Sequence, residues 1–551
     1  MCVDATIRVV KQRSVTTLPS WLPLAILIMA AFLLRITGID WGVPAPGRLW
    51  SFHPDESQVL VAALDLNVFT GKLDNGFYNY GQWYLLAAGT LIHILETLKV
   101  VAKPLAGIAP TAESLITARI FTAVLGTATV WFVVDSARRL GNKAAGFLAG
   151  ATYAVMPLAV QHAHFATVDV PAAFWVAVTI WAGIAFRETG SSKILAIGAL
   201  ACGLGAATKY NAGLALFPLV AAWLLRKERK ATELIGALLI TAVAFVIGCP
   251  GSLLNTSQFI KDILFEARHV GAGSEQIFTN TMSGFLYHPL VNGPWVVAYL
   301  WPAIGLGLVN IGLRRKAAEL IPLVFALPYF LLIGAAQVKF ARYALPLLPV
   351  LSIYTGLLFV RKPNQRPYLG AFASICCAFT LFASMVWIRQ FTAIDSRIQA
   401  ATAIKAAGTG VVTFARRPWF WSASLSPQIA HFSPKLAADD ARSFDGIPQL
   451  VVPPDGSEWS VDTLSQLSQG SVLTLSELEI MDAVRLRDTQ PMLYLDAAHT
   501  LLPDTKVYGS PINIPFISGF RSSTYGGWLT LQGVPHDMLY VNPQIWVLSG
   551  K

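Results

Sequence analysis

Charge is what this sequence has least of. Asp, Glu, Lys and Arg make up 13% of its 551 residues, while hydrophobic residues make up 54%. Soluble domains carry roughly 25% charge, so the chain reads as an integral membrane protein. Cysteine is sparse too. Cys2, Cys202, Cys249, Cys376 and Cys377 are scattered, and all but Cys2 lie in or beside apolar runs. That excludes a disulfide framework and points to packing residues. There is no low-complexity tract, no internal repeat of the kind that marks secondary transporters, and no complete nucleotide-binding motif. The segment GLGAATK at 203–209 superficially resembles a phosphate loop, but it lacks the spacing and follows an apolar helix rather than a strand. Cytoplasmic ATP coupling is therefore not expected. The 41 basic residues exceed the 31 acidic ones, for a net charge of +10. In a soluble protein that would suggest nucleic acid; in a membrane chain the positions of the cations fix orientation instead.

What is present is a series of long apolar runs. A span needs about 20 such residues, and runs of that kind occupy 21–39, 115–137, 144–162, 168–186, 193–225, 231–249, 291–312, 318–336, 341–360 and 367–389. The stretch 193–225 is too long for one span and breaks at Thr208-Lys209-Tyr210-Asn211, which gives about eleven helices. The first run follows Arg8, Lys11 and Arg13 and is not succeeded by a small-residue cleavage site, so it is kept as a helix and not as a leader. Basic clusters at Arg138/Arg139/Lys143, Arg187/Lys193, Arg226/Lys227/Arg229/Lys230, Arg314/Arg315/Lys316 and Arg361/Lys362/Arg366 fall at every second connection. With the N-terminus cytoplasmic, all of them are cytoplasmic. This orientation holds only if the apolar segment 80–101 does not cross, so it is expected to lie at the membrane surface inside a long external loop, 40–114, together with an amphipathic helix over 55–66. A second external segment spans 250–290. The expected organisation is a transmembrane catalytic domain over 1–390 and an extracytoplasmic α/β domain over 391–551. In the latter, short strand-like pieces at 410–414, 450–452 and 492–495 alternate with helical stretches such as 395–407.

Three groups of residues could carry chemistry. Asp55 and Glu56 follow Pro54 just after the first helix; one reading is a helix cap, the other a catalytic carboxylate. The segment 161–171 holds His162, His164 and Asp169 at a connection between two apolar helices. Asp169 can cap the second of them, and a zinc site built from the two histidines and an acid is loosely specified, because ligands at i and i+2 do not share a helical face. Finally, Arg119, Lys209, Lys339 and Arg342 defy the cytoplasmic bias of the other cations and fall near external helix ends. Membrane-embedded cations are costly and mark functional sites unless they snorkel to the interface. Together with Asp55 and Asp169 they suggest an anionic ligand at that boundary. Tyr210, Asn211, Gln337 and Tyr343 stand nearby to supply neutral hydrogen bonds.

These residues carry a resemblance. His53-Pro54-Asp55-Glu56, Ala118-Arg119, Arg138-Arg139-Leu140-Gly141, the His164–Asp169 stretch, Ala206-Ala207-Thr208-Lys209-Tyr210-Asn211 and Ala341-Arg342-Tyr343-Ala344-Leu345-Pro346 together resemble bacterial relatives of the protein O-mannosyltransferases. These are membrane glycosyltransferases of the GT-C fold, whose kin include aminoarabinose transferases acting on lipid A. The likeness covers about residues 20–390; Asp395-Ser396-Arg397 and Pro535-His536-Asp537 in the tail are similar to such bacterial members as well. It implies a sugar donor linked through phosphate to a polyprenyl lipid at the external leaflet of the bacterial inner membrane. It further implies a catalytic acid at Asp55 with Glu56 beside it, and an acceptor that is a protein, a lipid or a glycan. In the mannosyltransferases an arginine stands where this chain has His164, five residues before Asp169.

On that basis Asp55, Glu56 and Asp169 are expected to be catalytic. Lys209, Arg342, Lys339 and Arg119 would bind the donor phosphate, and His53, His164, Tyr210 and Tyr343 the substrates. Asp55 would take a proton from the attacking hydroxyl while the cations stabilise the leaving phosphate, a single displacement that inverts the anomeric carbon. No cofactor is required by any motif. A divalent metal stays open, because the aminoarabinose transferases imply one and no ligand set maps onto this chain. The competing readings are a ligase or polymerase of lipid-linked glycans and a transporter of an anionic solute.

Overall fold

The computed structural model describes residues 21–45, 51–103, 110–273, 276–314, 316–360, 368–425, 450–453, 456–465, 470–520 and 523–550. The basic N-terminal residues Arg8, Lys11 and Arg13, Arg315, and the cluster at 361–366 lie outside them. The chain is mainly helical, with a small sheet near the C-terminus. Among the described residues seven helical stretches are long and apolar enough to cross a membrane: Ala112–Leu140, Asp169–Thr189, Ala231–Gly248, Gly284–Arg314, Ala317–Ala335, Ala341–Phe359 and Tyr368–Ala406. Shorter apolar helices lie at Leu22–Ile36, Ser192–Ala206 and Tyr210–Leu224.

The helices follow from their sequences. Ile235, Leu239, Val243 and Ile247 recur every fourth residue on Ala231–Gly248, and all four stand more than half exposed. One stripe of this helix therefore faces outward with nothing but lipid chemistry to meet it. The predicted break at 208–211 is real: Ser192–Ala206 ends there and a 3-10 turn, Tyr210–Ala215, starts the next segment. The predicted run 144–162 is also interrupted, into Lys143–Val155 and Pro157–His162, because Pro157 cannot donate back into the preceding turn. Ala112–Leu140 opens on Thr111, whose hydroxyl accepts the Ser114 N–H at 3.1 Å, and closes with Arg138 and Arg139 in its last turn.

Between the first helix and Ala112–Leu140, the first long loop carries Glu56–Asp65 and Trp83–Thr97. These two pack on each other and on the foot of Ala112–Leu140 through Leu60, Ala63, Leu85, Ala88, Ile92 and Leu115. The 250–290 region is largely the helix Thr256–Ala272. Its Asp262 accepts the Tyr78 N–H at 2.9 Å and its Glu266 accepts Asn79 at 2.7 Å, so it braces the first loop from the side.

The tail begins with Ser396–Ala406, capped by Asp395, and forms a five-stranded mixed sheet. Numbering strands along the chain, β1 is Val411–Phe414, β2 Leu450–Val451, β3 Ser471–Ser476, β4 Asp504–Tyr508, β5 Ser523–Tyr525, β6 Leu529–Leu531 and β7 Ile545–Ser549. The sheet order is β2-β1-β3-β7-β4, with β1 parallel to β2 and β3, and β7 antiparallel to β3 and β4. One strand expectation fails: residues 492–495 lie inside the helix Thr489–Leu501. A four-residue apolar run does not by itself distinguish strand from helix. Here Pro491, Tyr494, Leu495 and Ala498 are buried at helical spacing, which decides it. The tail is fastened to the membrane part, since Ile512, Ile514, Met538, Leu539 and Tyr540 belong to the same core as the helices.

Candidate active site

The two carboxylates after Pro54 point to different places. Glu56 is fully buried: Oε1 accepts Arg119 Nε at 2.7 Å and the Ala166 N–H at 2.7 Å, while Oε2 accepts Arg119 Nη2 at 2.7 Å and the Ser51 hydroxyl at 2.5 Å. Burial pushes its pKa up, but Arg119 and the Ser51 hydroxyl outweigh that and hold it below the usual carboxylate range. Arg119 spends its remaining donors on the carbonyls of Ile39 at 2.8 Å and Trp41 at 2.5 Å. Each nitrogen of the Arg119 guanidinium and each oxygen of Glu56 has a hydrogen-bond partner, and the knot ties the first loop to Ala112–Leu140 and to the turn at 163–168.

Asp55 is the residue before Glu56–Asp65, yet its side chain caps nothing. The carboxylate, 28% exposed, faces Arg342, whose Nη2 lies 3.4 Å from Oδ2. Arg342 stacks its guanidinium 4.2 Å from the Phe340 ring centre and has a buried Nη1 with no hydrogen-bond partner. A second pair lies alongside. Asp169, in the first turn of Asp169–Thr189, accepts Lys209 Nζ at 2.6 Å, and Lys209 lies 5.1 Å from the centre of the Tyr343 ring. Lys209 is brought there by the break after Ser192–Ala206, which exposes the turn at 207–209 to the head of the neighbouring helix.

Histidines and tyrosines close the site. His53 Nδ1 accepts the Asp55 N–H at 3.2 Å, which leaves the ring proton on Nε2, and Nε2 is buried with no partner. Burial holds His53 below the usual imidazole range despite the opposing pull of Asp55 and Glu56. His162 is fully buried, and neither of its ring nitrogens has a hydrogen-bond partner. Tyr80, from the first loop, is close enough to feel Asp55, Arg342 and Asp169; burial first, then Asp55, pushes its hydroxyl pKa well up. From the tail, Tyr540 packs edge-on to His53 with ring centres 5.2 Å apart.

The structure thus gathers Asp55, Asp169, Lys209, Arg342, His53 and Tyr343. It sends the others elsewhere. Glu56 and Arg119 are spent on each other. His164 turns both ring nitrogens to carbonyls, Val160 at 2.8 Å and Thr37 at 3.0 Å, and stacks on Phe391. Tyr210 donates its hydroxyl to the carbonyls of Tyr78 and Tyr80 at 2.8 and 3.1 Å, so it holds the loop that carries Tyr80. Lys339 donates to Thr281 Oγ1 at 3.2 Å and the Gln337 carbonyl at 2.9 Å, and lies over the rings of Phe278 and Tyr287. Asn211 donates to the Tyr329 hydroxyl at 3.4 Å. Tyr80, His162 and Tyr540 join the site without having been chosen as substrate residues. The signals available were the aromatics flanking Gly81 and the Pro535-His536-Asp537 segment just before Tyr540. Among the described residues no three His, Cys, Asp or Glu side chains gather to hold a metal ion, so the divalent metal finds no ligand set there.

Residues 109–252 match the family described as dolichyl-phosphate-mannose-protein mannosyltransferase, which bears out the mannosyltransferase-like resemblance of the sequence. Arg119, His164, Asp169 and Lys209 fall inside the matched segment; Asp55 and Arg342 fall outside it. No curated protein matches the chain significantly. Among solved structures, the chain is similar to ArnT from Cupriavidus metallidurans bound to undecaprenyl phosphate, at 12% identity and a TM-score of 0.48, covering 85% of this chain and 95% of that one. It is also similar to the archaeal oligosaccharyltransferase AglB from Archaeoglobus fulgidus in complex with an inhibitory peptide and a dolichol-phosphate, at 12% identity and a TM-score of 0.47, covering 89% and 73%. The arabinofuranosyltransferase AftD from Mycobacteria gives 14% identity and a TM-score of 0.45, covering 97% and 40%.

Proposed function

We propose that the chain is a membrane glycosyltransferase that moves a single sugar from a polyprenyl-phosphate donor to an acceptor hydroxyl on the extracytoplasmic face. The observation that carries this reading is the pair of pairs: a half-buried Asp55 against Arg342 and a buried Asp169 against Lys209. The family matched by residues 109–252 supports the donor class.

In the resting protein each cation is balanced by a carboxylate. A donor phosphate brings its own negative charge and two or three strong acceptors, and Arg342 still has an unmet buried donor to offer. As the phosphate takes up Arg342 and Lys209, the carboxylates are freed. Asp55 is the more accessible of the two, being 28% exposed where Asp169 is 6% exposed and held by a short ion pair. The acceptor oxygen forms its bond to the anomeric carbon on the face opposite the phosphate, and its proton passes to Asp55. The bond between the anomeric carbon and the phosphate oxygen breaks, and polyprenyl phosphate departs with that electron pair, stabilised by the two cations. One displacement inverts the centre. Asp169 orients the acceptor or the sugar, and the unpartnered nitrogens of His53 and His162 offer hydrogen bonds to sugar hydroxyls. The N-terminus is cytoplasmic and the tail extracytoplasmic in this reading.

The test is turnover by the purified protein in liposomes. Polyprenyl-monophosphate mannose, glucose and arabinose are offered with candidate acceptors, and free polyprenyl phosphate is read. Release from one of these donors is the expected result. Folded protein that releases nothing from any monophosphate donor, with divalent metal present, overturns the reading in favour of a pyrophosphate-dependent ligase or a transporter.

A further inference from the structure

We infer that the tail completes the active site through Asp537, a positioning residue that fixes Arg342 by gripping its backbone. The inference rests on the reading of Arg342 as a ligand of the donor phosphate.

Asp537 is 1% exposed. One of its carboxylate oxygens accepts the Ala341 N–H at 3.0 Å and the other accepts the Arg342 N–H at 2.8 Å, across 195 residues of sequence. Those N–H groups start the 3-10 turn Ala341–Leu347, where no local side chain caps them. The first N–H groups of a helical segment have no partner within it. A neighbouring serine or aspartate usually supplies one; here Phe340 stands in that place and the tail reaches in instead. A carboxylate that holds two successive N–H groups fixes the plane between them, and with it the direction in which the Arg342 side chain leaves the backbone. The Phe340 ring against the guanidinium then sets where Nη2 meets Asp55.

Asp537 can do this because it is itself fastened. The Met538 carbonyl accepts Gln161 Nε2 at 2.8 Å, next to His162. The Tyr540 carbonyl accepts Arg397 Nη2 at 2.8 Å. Arg397 is in turn held by both oxygens of Asp395, at 2.7 Å each, and Asp395 accepts Trp41 Nε1 at 3.1 Å. The strap 535–542 thus spans from the 157–162 helix to the root of the first loop, with Asp537 between them. Burial raises the Asp537 pKa, and Arg342 and the two N–H groups offset that only in part. As a purely local cap, Asp537 would steady the turn and nothing more. As a positioning residue, its loss acts on phosphate affinity through Arg342.

The experiment uses the full chain in lipid nanodiscs, as wild type, Asp537→Asn, Arg342→Ala and the double variant. Two readouts are taken: amide exchange over 338–347 and affinity for free polyprenyl phosphate. Asn keeps the volume and one acceptor, so folding is retained; β7 exchange serves as the internal control. The expected result is faster exchange at 341–342 in Asp537→Asn with β7 unchanged, and roughly tenfold weaker phosphate binding, which is about one hydrogen bond's worth. In the Arg342→Ala background, Asp537→Asn should weaken binding no further. Unchanged exchange at 341–342, or a full additional loss of affinity without Arg342, overturns the inference. Wild-type protein that binds no polyprenyl phosphate removes the functional reading instead, while the exchange readout still judges whether Asp537 holds the Arg342 backbone.

Discussion

Two carboxylates that are neighbours in sequence live in opposite surroundings. Glu56 is sealed and accepts four hydrogen bonds, two of them from Arg119. Asp55 is partly exposed and meets Arg342 at 3.4 Å, with a donor of that arginine left over. Both are ion pairs between a first-loop acid and a membrane-embedded arginine, so charge alone does not separate them. Saturation does. A sealed knot in which every charged atom has a partner has little to offer a substrate, whereas an under-satisfied pair holds back interactions that a ligand can complete.

That contrast can be broken from either side. The largest effect belongs to the sealed knot. Glu56→Gln leaves Arg119 buried without its counter-charge, which should cost about 3–5 kcal/mol and appear as a large drop in the melting temperature in detergent. A Glu56→Gln protein with wild-type stability and no activity would move Glu56 into the chemistry. Next come the cations of the open side. Lys209→Met or Arg342→Met should lower turnover by roughly 10²- to 10³-fold, the effect of removing one donor from a developing anion; Arg342→Met, whose partner Asp55 is 28% exposed, should cost less melting temperature than Lys209→Met, which strands the buried Asp169 carboxylate. The contrast is sharpened further by Arg342→Lys, which keeps the charge but loses the planar fork. Polyprenyl phosphate should bind about tenfold more weakly by titration in nanodiscs. An unchanged affinity would show that a point charge suffices.

The remaining effect lies in the tail, away from both pairs. Burial, partly offset by Arg416, pushes the Glu479 pKa up to about 8. A carboxylate raised on folding contributes stability that is fully present below its unfolded pKa and lost as pH rises through about 8. The melting temperature of the tail should therefore fall between about pH 4.5 and 8, and Glu479→Gln should flatten that slope. An identical slope in the variant would locate the proton elsewhere.

Much of the fold was legible because a membrane imposes a simple rule on composition. Long apolar runs and the break at Thr208-Lys209 carry their own signals, and so does Asp55 after Pro54, whereas the break before Pro157 went unread inside the run 144–162. The fate of the buried cations was not legible, since it depends on partners remote in sequence. Arg119 and Arg342 look alike until one finds Glu56, 63 residues away, and the other finds Asp55 together with a tail residue 195 positions on. The surroundings of His164 were hidden for a similar reason: its two ring nitrogens face the carbonyls of Val160 and Thr37. Tyr80 and Tyr540 escaped notice because aromatics in the loops of a membrane chain read first as interfacial anchors. The helix at 489–501 was taken for a strand over four residues because so short a window has no period to measure.

The most direct test of the account is the initial rate of polyprenyl phosphate release by Asp55→Asn, measured beside wild type on equal amounts of folded protein. The account predicts that the variant stays folded and binds polyprenyl phosphate at least as tightly as wild type, since Asp55 no longer competes for Arg342, yet transfers sugar roughly 10²- to 10⁴-fold more slowly, as the loss of a general base requires. An Asp55→Asn protein that transfers sugar at near the wild-type rate would contradict it.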